Sequence, residues 1–186
     1  GVARCWGYNF RGALGNGSTV SSAVPVAVAG LSSGVTSLAG GSVHTCAVAN
    51  NSALCWGYGG DGELGNGSIA DSSTPVSVQG LSNGVVSVSA TEGYQSCALL
   101  LDGSARCWGS NGNGQLGNGL TAGSLTPVQV QGITGGAAAI AVGAAHACAV
   151  VNGSALCWGL NSSGQLGNGG TSNSAVPLAV LGLDAP

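Results

Sequence analysis

Short apolar stretches alternate along the chain with clusters of Gly, Asn and Ser, and no window keeps a helical period. Val85-Val-Ser-Val-Ser, Ser96-Cys-Ala-Leu-Leu, Ala105-Arg-Cys-Trp-Gly and Pro127-Val-Gln-Val-Gln-Gly each read as a strand bounded by turn residues. The same order recurs. Cys-Trp-Gly begins at Cys5, Cys55, Cys107 and Cys157, and Leu-Gly-Asn-Gly at Leu14, Leu64, Leu116 and Leu166, with spacings of 50, 52 and 50 residues. From each of these Cys residues to the Leu or Ile that closes the unit (Leu31, Leu81, Ile133, Leu183) the distance is 26 residues, and Pro25, Pro75, Pro127 and Pro177 hold one place. A unit of about 50 residues and four short antiparallel strands has the size of one β-propeller blade. The fold class expected is therefore all-β, with about 3.5 blades. The boundaries run 1–33 for a half blade and 34–83, 84–135 and 136–186 for three repeats. Blades cover each other's faces, so their strands need little apolar/polar alternation, and proline at the start of the fourth strand suits an edge position.

Cysteine positions add covalent structure to this pattern. Cys46 and Cys55 are symmetric about Asn50-Asn51, and Cys148 and Cys157 about Asn152-Gly153, a pair that a type I′ turn prefers. Cys97 and Cys107 flank one residue more, which fits a three-residue loop Leu101-Asp102-Gly103. Directly opposed residues in a hairpin are close enough for bridging, so three within-hairpin disulfides are expected, and with them an oxidising, extracellular or cell-surface location. The seventh cysteine, Cys5, would have its hairpin partner upstream of Gly1, where the first half of the unit is missing. We read it as unpaired or intermolecular.

Composition narrows the partners. Only 5% of the 186 residues are charged, the three basic residues are all Arg, and the net charge is −3. No cationic patch is present to neutralise a phosphate backbone, so neither nucleic acid nor an anionic membrane is expected as a partner. The apolar run 135–151 is too short to span a membrane and reads as two blade strands. The first residue is Gly1, which we take to mean a removed leader or a fragment of a longer chain.

The pattern Val-x-Ser-x-x-x-Gly, His-x-Cys-Ala, Cys-Trp-Gly-x-Asn-x-x-Gly-Gln-Leu-Gly-Asn-Gly and Pro-Val-x-Val-x-Gly-Leu resembles the regulator of chromosome condensation repeat family, in its cysteine-containing secreted bacterial form. It is densest at Cys107–Gly119 and Cys157–Gly169. The resemblance implies a β-propeller, usually of seven blades, that acts by binding: as an exchange factor for a nuclear GTPase, a secreted β-lactamase inhibitor or a light receptor. A nuclear exchange factor would be reduced and would carry charged loops, whereas this chain has disulfide spacing and no lysine.

No residue set stands out as catalytic. His44 and His146 share their repeat position with Gln95, so a hydrogen-bonding role is expected there. Trp6, Trp56, Trp108 and Trp158 recur in register, which suits packing between blades better than sugar stacking. Asp61, Glu63 and Asn66 could form a small calcium loop, but two carboxylates in one blade are too few, and neither metal nor cofactor is expected. The Leu-Gly-Asn-Gly turns lack the Lys and Ser or Thr of a phosphate-binding loop. Asn16, Asn50, Asn66, Asn152 and Asn161 each begin an Asn-x-Ser sequon and are candidate glycosylation sites. We expect a non-catalytic extracellular structural or adhesive module that associates with copies of itself through the incomplete blade. The alternative is a fragment of a secreted propeller that binds a protein or carbohydrate or inhibits a secreted enzyme.

Overall fold

The computed structural model describes residues 1–183. Its elements are β1 (Arg4–Gly7), β2 (Ser22–Ala27), β3 (Val35–Gly40), β4 (His44–Ala49), β5 (Ser52–Gly57), β6 (Ser72–Ser77), β7 (Val85–Ala90), β8 (Gln95–Leu100), β9 (Ser104–Gly109), β10 (Ser124–Thr134), β11 (Ala137–Val142), β12 (His146–Val151), β13 (Ser154–Gly159) and β14 (Ser174–Ala179). They form three four-stranded antiparallel meanders, β3–β6, β7–β10 and β11–β14, preceded by the two-stranded pair β1–β2. This is an all-β stack of about 3.5 propeller blades, and among the described residues no helix is long and apolar enough to cross a membrane.

Each sheet is closed by the turns its residues favour. Asn50 and Asn51 take φ of 50° and 62°, and Asn152 and Gly153 take 50° and 85°, the left-handed pair of a type I′ turn. The loop 101–103 ends on Gly103 at φ 75°, as a three-residue hairpin with a left-handed third position requires. These turns set the registers Cys46↔Cys55, Cys97↔Cys107 and Cys148↔Cys157. All three pairs are disulfide-bonded across their hairpins, with Cα atoms 4.1 Å apart.

Two details depart from the expectations of the sequence. The fourth strand of each blade starts three residues before its proline, so Pro25, Pro75, Pro127 and Pro177 lie inside β2, β6, β10 and β14. They are tolerated because these strands are outermost and because the ladder to the third strand breaks register there, as between Cys55↔Val76 and Gly57↔Ser72. Burial is also uneven. β4 is buried at every position and β8 at all but its last, whereas β2 is exposed at four of six positions. β4 and β8 are inner strands with a sheet on either side, whereas β12, an inner strand of the last sheet, is only partly buried.

The core is three slabs, one per seam between sheets. Ala3, Val28, Leu31, Ala47, Ala49 and Trp56 fill the first seam. Leu64, Leu81, Val88 and Trp108 dominate the second, and Leu116, Ile133, Val142 and Trp158 the third.

Candidate functional site

The turn-rich half of each unit is a folded lid that closes on the next blade. In the third unit Asn111 organises it: Oδ1 accepts the Leu116 amide at 2.9 Å, while Nδ2 donates to the Leu120 and Ala122 carbonyls at 2.9 Å. Asn9 and Asn161 repeat this arrangement with Leu14 and Leu166. Gln115 and Gln165 brace the turn by accepting the amides of Asn113 and Ser163 through Oε1, both at 2.8 Å. The leucine enters the core, and the glycine after it lies flat on an indole. Trp158 Nε1 donates to the Gln115 carbonyl at 2.9 Å, and a Cβ on Gly117 (φ +66°) would stand 2.7 Å from that nitrogen. Trp56 under Ala13 and Gly15, and Trp108 under Glu63 and Gly65, complete the series. The Leu-Gly-Asn-Gly turns therefore have a packing role. Substituting Asn111 by Ala strips a buried amide of one partner and orphans two carbonyls; a loss of about 2–3 kcal/mol in a denaturant titration is expected.

Three of the four tryptophans are fully buried in these seams, while Trp6 is 62% exposed. Among the described residues no lid covers Trp6. At the opposite end of the array, the atoms nearest to a Cβ on Gly167 would belong to Val180 rather than to an indole. Beside Trp6 a cleft of about 350 Å³ is lined by Cys5, Tyr8, Leu38 and Thr45. Cys5 is the free cysteine, half-buried, and burial pushes its thiol pKa up, which makes it a poor nucleophile.

Among the described residues the buried polar groups bond chiefly to one another and to the backbone. Ser96 donates its hydroxyl proton to the Glu63 carbonyl at 3.0 Å, so His44 Nε2, 3.0 Å from that oxygen, serves as donor to it. A serine whose proton is committed to a carbonyl is not held by a base. Burial lowers the His44 pKa to about 4, and Nδ1 has no partner among the described residues. Gln95, in the same place one blade on, donates to the Gly143 and His146 carbonyls. Glu63 replaces the bracing glutamine: Oε2 accepts the Asp61 amide at 2.9 Å, Oε1 has no partner among the described residues, and burial raises the pKa to about 7. Asn66 Oδ1 is used by the Ser68 amide, and among the described residues no three His, Cys, Asp or Glu side chains gather to hold a metal.

Of the sequon asparagines, Asn50 and Asn152 are exposed at hairpin tips, and Asn16 and Asn66 are half-buried in turns. Asn161 is a correction. It is 0% exposed, and its Nδ2, the atom a glycan would occupy, is held by the Gly170 and Ser172 carbonyls. Its place as a lid organiser, shared with Asn9 and Asn111, outweighs the sequon.

The model of the regulator of chromosome condensation (RCC1) repeat matches residues 5–48, 50–100, 102–150 and 152–185. The chain belongs to the RCC1 repeat family. The structure superposes on yeast RCC1 (Prp20) bound to Kap60 with a TM-score of 0.81 at 23% identity, covering 97% of this chain and 44% of that one. It superposes on human WBSCR16 with a TM-score of 0.80 at 23% identity, covering 95% and 46%. A second structure of Prp20p, from Saccharomyces cerevisiae, gives 0.79 at 21%, covering 97% and 46%. These likenesses show the RCC1 propeller fold, and the chain spans less than half the length of each. The lid and indole seam recur in this chain wherever two RCC1 repeats meet.

Proposed function

We propose that this chain is a non-catalytic, protein-binding RCC1-repeat array that works in an oxidising, extracellular setting and associates end to end with further copies of itself. The observation that carries the reading is the complementarity of its two end faces. Among the described residues, Trp6 is exposed with no lid above it and the group nearest the Gly167 lid is Val180 rather than an indole, while three interior seams join these same parts. A head-to-tail contact of this kind is heterologous, giving a ring if it closes and a filament if it does not. The three hairpin disulfides support the location. The fold neighbours support protein binding as the class of activity, since yeast RCC1 is found bound to Kap60 and Prp20p is described by its binding to Gsp1p and histones.

Sedimentation of the 186-residue chain across a range of concentrations tests this reading. Concentration-dependent association that Trp6→Ala abolishes is expected, and a wild-type chain that stays monomeric throughout overturns self-association. A non-reducing gel of the same samples separates a Cys5-linked dimer from a noncovalent one.

A further inference from the structure

The chain contains three Tyr and one Phe, and all four stand in one row on the blade-end loops. Tyr8 and Phe10 stack with centroids 6.4 Å apart. The Arg11 guanidinium carbon lies 5.3 Å from the Phe10 centroid and 5.2 Å from that of Tyr58, and Tyr58 meets Tyr94 edge-to-face at 5.7 Å. Tyr8, Phe10 and Tyr94 are 65%, 62% and 42% exposed. An apolar core does not need these rings here. The repeat does not demand them either, because the positions of Tyr8 and Phe10 are taken by Ser110 and Gly112 in the third unit and by Leu160 and Ser162 in the fourth.

Tyr94 has further peculiarities. Its φ is 52°, in the left-handed region that a bulky side chain avoids, and such strain concentrates at functional sites. It sits in loop 91–94, which is one residue longer than its counterparts 41–43 and 143–145. In repeat arrays, insertions of this kind map to loops on one face, often the binding face.

The surrounding charge identifies the ligand chemistry. Four of the six acidic residues, Asp61, Glu63, Asp71 and Glu92, belong to the two loops that carry Tyr58 and Tyr94. Burial and then the carboxylates of Asp61, Glu63 and Asp71 raise the Tyr58 pKa, while Arg11 lowers it. Arg11–Asp71, at 3.0 Å, is the one ion pair among the described residues, so Asp61 and Glu92 face solvent without a cationic partner. The row thus already holds one guanidinium between two rings and on a carboxylate. Beyond Arg11 at Tyr58, the stretch from Tyr58 to Tyr94 offers a further ring and the carboxylates of Asp61 and Glu92 with no second cation among the described residues.

We propose that the Tyr8–Phe10–Tyr58–Tyr94 row is a docking surface for an extended, arginine- or lysine-bearing segment of a partner protein. A cation from that segment lies over Tyr58 and Tyr94 and pairs with Asp61 and Glu92, as Arg11 does between Phe10 and Tyr58 with Asp71. Tyr8 also borders the cleft beside Trp6, but Asp61 and Tyr94, the positions varied below, do not line it, so this test and that of the end faces fail independently.

Calorimetric titration of the whole chain with an acetylated peptide alternating Gly and Arg tests the assignment. The Gly/Gln counterpart and a chitin oligosaccharide serve as the other arms. Saturable binding of the Arg peptide alone is expected, weaker at higher salt. Tyr94→Asn, which suits the left-handed backbone, and Asp61→Asn, at an exposed side chain, are each expected to weaken it about three- to tenfold with the melting transition unchanged. Equal binding of the Gln peptide, binding of the oligosaccharide only, no binding of the Arg peptide, or an affinity indifferent to both variants overturns the proposal.

Discussion

Trp108→Ala is expected to lower the unfolding free energy by about 3–5 kcal/mol, the usual cost of emptying a fully buried aromatic site. Its indole is 0% exposed between the second and third blades, packs beneath Gly65, and donates to the Glu63 carbonyl at 2.8 Å. The cavity cannot collapse readily, because disulfide-bonded sheets wall it on both sides. The control is built into the repeat. Trp6→Ala makes the same change in the same motif at a 62% exposed side chain, and in dilute, monomeric protein its cost should stay within about 0.5 kcal/mol. Denaturant midpoints of the two variants check this contrast, and equal losses would falsify the seam as the source of the energy.

Glu63→Gln should have the second large effect, visible only as a function of pH. The Glu63 side chain is fully buried. Its folded-state pKa is raised from 4.5 to about 7 by that burial, against the opposing hydrogen bond from the Asp61 amide and with Asp61 and Asp71 adding to the rise. The folded state then binds more protons than the unfolded state between pH 4.5 and 7, so Glu63 erodes stability as pH rises through that window. His44 runs the other way. Its folded pKa is lowered from 6.5 to about 4, so its contribution is whole above 6.5 and lost as pH falls toward 4. Over the shared window the two slopes cancel, and the wild type should be nearly flat. The Gln side chain reproduces the brace that Gln115 and Gln165 make, so Glu63→Gln is expected to stabilise the protein by about 3 kcal/mol above pH 7. It should also expose a stability that rises with pH between 4 and 6.5. His44→Gln should uncover the opposite slope, in keeping with Gln95 at the same repeat position. Melting temperatures across pH for the three proteins distinguish these curves, and parallel curves would defeat the argument.

The site is less legible in the sequence than the fold. That Asn161 organises a lid is hidden by its sequon, since a local triplet says nothing of the carbonyls nine and eleven residues ahead that hold its amide. Trp6 looks like its three siblings because the motif is identical, and exposure depends on which lid lies above it. Glu63 reads as a possible cation ligand, because the charge of a carboxylate is plain in a sequence and its burial is not. The aromatic row is silent for the same reason. Tyr8, Phe10, Tyr58 and Tyr94 have no common spacing, and only the stacking of blades brings residues up to 86 positions apart into one line.

Local chemistry wrote the blade into the chain: strand length in short apolar runs, hairpin register in Asn and Gly at the turns, and disulfide pairing in cysteines symmetric about them. The repeat then made each inference checkable against its copies, and three disulfides and four sheets follow from it. Contact between units settled the rest: which tryptophan is buried, which carboxylate loses its solvent, and which exposed rings meet. Those outcomes rest on distances of a few ångströms between residues about 50 positions apart, and the energy of such a contact lies in the water it excludes rather than in either residue's own preference.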